Sequence, residues 1–236
     1  MLNGIKRLYG KKLEASDDRV GHVEDCYFDN VDWAVRYVAA DTDWRAYPRR
    51  LLLSPHALGS VSTRAKSLPV HLTRDQIEKS PMLDWQSPVT KEFEMNYYRY
   101  YHWPFYWQGG RLWGPSDFPD PRPSNNGGQT PAKGDGHLIS ARKIFGFHVY
   151  SGADSDGRVA DLLMDQETWH IGYLVLDTSH WYSHKEVLIS TRKILSIDEI
   201  RGRVNVAPTK AEIARVVLRP VSHGRAAVCE PAMPLS

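Results

Sequence analysis

Residues Gly21 to Thr42 read GHVEDCYFDNVDWAVRYVAADT, and Gly157 to Thr178 read GRVADLLMDQETWHIGYLVLDT, displaced by 136 positions. Eight identities stay in register: Gly21/Gly157, Val23/Val159, Asp25/Asp161, Asp29/Asp165, Trp33/Trp169, Tyr37/Tyr173, Asp41/Asp177 and Thr42/Thr178. Self-similarity at one fixed offset marks a duplicated structural unit, and the fold has to be read from it.

Each copy reads as a hairpin. Val23 to Asp29 is a strand, Asn30-Val31-Asp32 carries turn chemistry, and Trp33 to Asp41 returns. Strand side chains alternate with period two. That places Trp33, Val35, Tyr37 and Ala39 on one face, matched by Trp169, Ile171, Tyr173 and Val175. The opposite face carries Ala34, Arg36, Val38 and Ala40, against His170, Gly172, Leu174 and Leu176. Strands apolar on both faces are covered on both, so Val38, Ala40, Leu174 and Leu176 are expected to pack against something beyond their own sheet.

Around the first hairpin, Leu8 to Leu13 reads as a leading strand and Arg50 to Ser54 as a further short one. Pro55 suits the first position of a brief helical turn over His56 to Leu58 after a Ser54 cap. Thr73-Arg74-Asp75-Gln76 has the capping-box pattern, repeated at Thr209-Lys210-Ala211-Glu212, so a short helix with Ile77 or Ile213 inward closes each unit.

Between the copies, Ser87-Pro88 opens a helix running to about Tyr101, with Phe93, Tyr97 and Tyr100 or Tyr101 on one stripe. From Tyr97 the chain reads YYRYYHWPFYW, eight aromatics in eleven positions. Each such ring can bury roughly 150–250 Å². Two roles stay open for Tyr97, Tyr98, Tyr101, Trp103 and Trp107: internal mortar between the units, or an exposed platform for a partner. Base stacking wants interleaved cations, and only Arg99 and Arg111 are near. Gly109 to Gly136 loses periodicity, and within it Pro115 to Gly136 is a Pro/Gly/Ser/Asn tract with little to bury. The resulting plan is a first unit over 1–80, a connector over 81–137, a second unit over 138–219 and a loose tail over 220–236.

Lys+Arg of 30 against Asp+Glu of 28 gives a net charge of +2, which argues against nucleic acid as a partner. Two cysteines, Cys26 and Cys229, make neither a disulfide framework nor a zinc site. No apolar run reaches membrane-spanning length, and MLNGIKRLYGKK lacks a signal-peptide core; a soluble cytoplasmic protein is expected.

Candidate chemistry is thin. Asp25, Asp41, Asp161 and Asp177 recur as matched pairs, which fits aspartates binding backbone amides better than an acid/base pair. His180 and His184 have i, i+4 spacing without an evident third metal ligand. The turn Ala153 to Gly157 lacks the later glutamate of a calcium loop. Ser54 and Ser190 have no nucleophile-elbow glycines. No catalytic, cofactor or metal residue is assigned.

The hairpin with Asp29, Trp33, Tyr37 and Asp41-Thr42, the following Leu52 to Ser54, and the closing Val70 to Thr73 resemble the PRC-barrel family. That family includes the cytoplasmic domain of the photosynthetic reaction-centre H subunit and the C-terminal domain of the ribosome maturation factor RimM. The resemblance covers both units and is similar to tandem PRC-barrel proteins with an aromatic segment between the barrels. It implies a mainly β fold: two small bent β-barrels, each with a short helix, joined by an aromatic, partly helical segment and a Pro/Gly-rich loop. It implies a non-enzymatic module without cofactor that binds a protein partner or itself, with a homodimer as one form. Accessory to a photosynthetic or electron-transfer complex and an RNA- or ribosome-associated factor are the alternatives it implies.

Overall fold

The computed structural model describes residues 1–42, 50–60, 65–81, 83, 88–122, 138–152, 155–179, 186–209 and 212–213. The chain divides into two units: Met1–Ala141 with Asp165–His170, and Arg142–Met164 with Ile171–Ser236. Residues 81–122 therefore share a unit with the first hairpin, and so does the turn of the second hairpin.

The first unit holds β1 (Leu2–Gly4), β2 (Lys12–Glu14), β3 (Arg19–Asp29), β4 (Ala34–Thr42), β5 (Arg50–Leu53), β6 (Ser67–Pro69), α1 (Arg74–Glu78), α2 (Lys91–Tyr100) and β7 (Leu138–Ser140). Its sheet runs β5-β4-β3-β2-β6, with β7 also on β3. After α3 (Ala141–Ile144), the second unit holds β8 (His148–Tyr150), β9 (Ser155–Asp165), β10 (Ile171–Asp177), β11 (Glu186–Ser190), β12 (Ile194–Asp198) and β13 (Arg203–Val206). Its strands run β11-β10-β9-β8-β13-β12. The duplication thus reaches topology. Five strands recur in the same order, and each copy contains one parallel pair, β2 with β6 and β8 with β13.

The shared residues have identifiable jobs. Gly21 and Gly157 sit at φ +152° and +146°, where a Cβ would run into the carbonyl oxygens of Asp41 and Asp177. Only glycine lets the paired strand approach so closely. Asp29 Oδ1 accepts the N–H groups of Val31 (3.1 Å) and Asp32 (2.6 Å), and Asp165 Oδ1 accepts those of Glu167 and Thr168 (3.0 Å each). Asp25 and Asp161 accept the next backbone N–H, from Cys26 at 2.7 Å and Leu162 at 2.8 Å. Cys26 and Leu162 are both fully buried, so the cysteine serves as a small apolar core residue. The capping boxes form: Gln76 N donates to Thr73 Oγ1 at 3.2 Å, Glu212 N to Thr209 Oγ1 at 3.3 Å, and Ile77 and Ile213 are buried.

Several local expectations are corrected. The leading strand over Leu8 to Leu13 is instead a 3-10 turn, Ile5–Arg7, followed by β2 at Lys12–Glu14. Trp33 and Trp169 do not lie in the return strands; they take left-handed backbone, φ 52° and 58°, at the turn. Helix α2 starts at Lys91 with Thr90 as its cap, its Oγ1 accepting Phe93 N at 3.2 Å, rather than at Ser87-Pro88. Its buried residues are Glu94, Tyr97 and Tyr98, not a Phe93–Tyr97–Tyr100 stripe. The expectations for His180, His184, Ala153, Asp154, the greater part of the Pro/Gly tract and the tail lie outside the described residues.

Candidate functional site

The strict alternation read along the return strand fails at one residue in each copy, and that residue differs between copies. Tyr27 pairs with Tyr37 but Phe28 pairs with Val35, so Arg36 is an extra residue, a β-bulge. In the second copy Leu163 pairs with Tyr173 and Met164 with Ile171, which makes Gly172 the extra residue. Bulges re-aim side chains and recur beside functional sites. Here the bulge carries Arg36 to the same cluster as its neighbour Tyr37, where period two puts them on opposite faces.

Arg36 is fully buried. Its Nε donates to Asp29 Oδ2 at 2.6 Å, its Nη2 to Asp32 Oδ2 at 3.1 Å, and its Nη1 to the carbonyl of Leu112 at 2.6 Å. The guanidinium carbon lies 3.9 Å from the Tyr106 ring centre and 4.9 Å from that of Trp113. A planar fork that stacks on rings while bonding carboxylates is arginine's particular capability. Asp29 therefore does two things: Oδ1 builds the turn common to both copies, and Oδ2 holds a cation found in this copy.

Beside it, Glu94 is buried on α2. Its Oε1 accepts hydroxyl hydrogen bonds from Tyr37 (3.1 Å) and Tyr106 (2.8 Å), and Lys91 Nζ reaches Oε2 at 3.2 Å. Burial pushes the Glu94 carboxyl above the usual carboxylate range, against the pull of Lys91 and the hydroxyls. Burial likewise pushes the Tyr37 and Tyr106 hydroxyls well above 10, keeping both as donors. It also pulls Lys91 down, while Lys91 Nζ sits 3.2 Å from the Trp107 ring centre.

His56 completes the cluster from the 3-10 turn Pro55–Ala57. Burial drives it down to about 4, so it is neutral, and Nδ1 donates to the Asp120 carbonyl at 2.8 Å. Its ring lies among Tyr98, Trp103 and Trp113, with centres 5.7, 5.3 and 5.1 Å away. Ser54 N donates to Tyr97 Oη at 3.1 Å. Trp113 Nε1 donates to the Thr168 carbonyl at 2.8 Å. His170 bridges Ala34, its repeat equivalent, and Trp169 O accepts Val35 N at 3.0 Å. The arrangement is a clamp: a buried cation, a buried carboxyl and a neutral imidazole tie α2 and the segment from Trp103 to Asp120 to the first sheet.

Of the residues singled out from sequence, Tyr97, Tyr98 and Trp103 are buried in this cluster, with Tyr101 and Trp107 half-buried at its margin. Val38, Ala40, Leu174 and Leu176 are fully buried too. Burial leaves Val38, Ala40, Leu174, Leu176, Tyr97, Tyr98 and Trp103 little surface to offer a separate partner, while Tyr101 and Trp107 stay partly exposed. Glu94 and His56 were missed. Glu94 had a signal, since it stands three and four positions before Tyr97 and Tyr98 and so on their helix face.

What the described residues define is a repeated β-sheet module whose return-strand bulge carries a different residue in each copy. Residues 136–213, which take in the second hairpin, match the PRC-barrel domain. No curated protein matches the chain. Among the described residues no helix is long and apolar enough to cross a membrane.

Proposed function

We propose that this chain is a non-enzymatic binding and assembly module built of two PRC-type barrels, and that it takes a protein through the β12–β13 hairpin of the second unit. One observation carries the reading: Leu195 is 69% exposed on β12, and Ile200 is 98% exposed at the hairpin tip. The tip is a built turn, because Asp198 Oδ1 accepts the N–H groups of Ile200 (3.1 Å) and Arg201 (2.9 Å). An apolar side chain held out by a rigid turn loses little freedom on docking, which favours its use as an anchor. In the first unit Arg36, Asp29, Glu94 and the hydroxyls of Tyr37 and Tyr106 bond to groups of the same unit, which supports an architectural role there.

The reading is tested by the native mass of the chain in extracts of its own cells. The expected result is an assembly larger than one chain that Ile200→Asp dissolves while the melting temperature holds. A wild-type assembly unaffected by that substitution contradicts the proposed surface.

A further inference from the structure

Among the described residues, β12 pairs with β13 and has no strand on its other side. An unpaired edge is a template for another strand unless something blunts it, and a bulge is one of the usual blunting devices. β12 has such a bulge: Ile194 pairs with Val206 and Ser196 with Asn205, leaving Leu195 extra. The bulge places two exposed residues in succession, Leu195 and Ser196, between half-buried Ile194 and Ile197.

That in-out-out-in order reads the same in both directions, and this has a geometric consequence. Two copies of a strand related by a two-fold axis normal to the sheet must bring residues of the same face opposite each other. A regular strand meets that condition only when a residue faces its own copy. With the bulge, the condition is met by an axis between Leu195 and Ser196. The same register sets Ile194 opposite Ile197 and brings Lys193, the last residue of the 3-10 turn Thr191–Lys193 that leads into β12, beside Asp198 at the far end of the partner strand. The stretch R-K-I-L-S-I-D-E, Arg192 to Glu199, is charge-complementary to its own reverse. Lys143, 2.9 Å from Glu199, and Arg201, 3.4 Å from Asp198, also face the acidic end. The basic residues that precede β12 and the acidic ones at its far end favour this register, and the exposed Leu195 side chains beside the axis supply the apolar contact.

We infer that β12 pairs antiparallel with β12 of a second copy about a two-fold axis between Leu195 and Ser196. The inference rests on the binding-module reading and names its occupant. Such a pairing is isologous and closed. One short edge buries less than an obligate interface does, so the dimer is weak and concentration-dependent.

Sedimentation of the full chain over a range of concentrations tests it. The expected result is a monomer–dimer equilibrium whose dissociation constant Leu195→Asp raises about tenfold or more, as the apolar contact is lost and two like charges sit on either side of the axis. Register is read by disulfide trapping in a Cys229→Ser background. A mixture of Ile194→Cys and Ile197→Cys chains gives a linked pair, whereas either chain separately does not. A single-chain mass at every concentration, with the Ile200-dependent cellular assembly intact, overturns the inference and leaves the proposed function standing. A dimer indifferent to Leu195→Asp, or equal trapping by each cysteine chain on its own, overturns this edge as the contact.

Discussion

The two hairpins share a turn aspartate, a close-approach glycine and a left-handed tryptophan, and they also share the position of a bulge. In the first, the bulge residue is Arg36, buried, bonded to Asp29 and Leu112 and stacked on Tyr106. In the second it is Gly172, at ordinary φ, with open space where a Cβ would stand. Duplication conserved the backbone irregularity while letting its side chain diverge. The first copy turned the extra residue into a fastening for its own aromatic segment. The second left its position empty and carries its exposed apolar groups on β12 and the turn after it.

Making the first bulge like the second is the severest test. Arg36→Gly leaves Asp29 Oδ2 buried without its cation and Leu112 O without its donor. Breaking a buried pair from one side costs about 3–5 kcal/mol, and denaturant unfolding should show a loss of that size. Gly172→Arg, in contrast, enters open space and should leave stability nearly unchanged.

Acid should act next, through His56, whose second-copy equivalent is Arg192. The folded imidazole sits at about 4 against 6.5 unperturbed. Between those values the unfolded chain binds a proton that the folded one refuses, so stability falls as pH drops from 6.5 towards 4. At about 1.4 kcal/mol per unit, the loss is on the order of 3 kcal/mol. Glu94, raised by burial, works in the opposite sense, since its neutral form is favoured in the fold at low pH. A His56→Phe variant should therefore show a shallower fall over this window, measured by melting temperature against pH.

Gly21→Ala and Gly157→Ala should each cost roughly 1–3 kcal/mol, because backbone strain and overpacking act at both sites. Similar losses would support one shared role, and a loss at only one would break the equivalence. Thr73→Ala removes a helix cap and should cost about 1 kcal/mol. Gly172→Ala is the smallest effect, between neutral and about 1 kcal/mol stabilising, because φ there suits any residue.

The duplicated scaffold was legible because glycine, aspartate and threonine act through local backbone chemistry that a sequence displays directly. The bulge was not. Its signature is one residue of slippage between partners, and a period-two reading assumes none. That assumption put Arg36 on the outer face and the two tryptophans into strands. Glu94 escaped because a carboxylate amid aromatics reads as an exposed helix residue until Tyr37 and Tyr106, distant in sequence, supply hydroxyls to it. The exposed Ile200 was equally silent, since exposure at a hairpin tip depends on the pairing of β12 with β13.

Amide hydrogen exchange on Arg36→Gly bears most directly on the claim that this residue fastens the aromatic segment to the first sheet. Under native conditions, Trp103 to Trp113 should lose protection by several orders of magnitude while β9 and β10 keep theirs, as expected of a locally released unit. Unchanged protection across Trp103 to Trp113 would contradict the clamp.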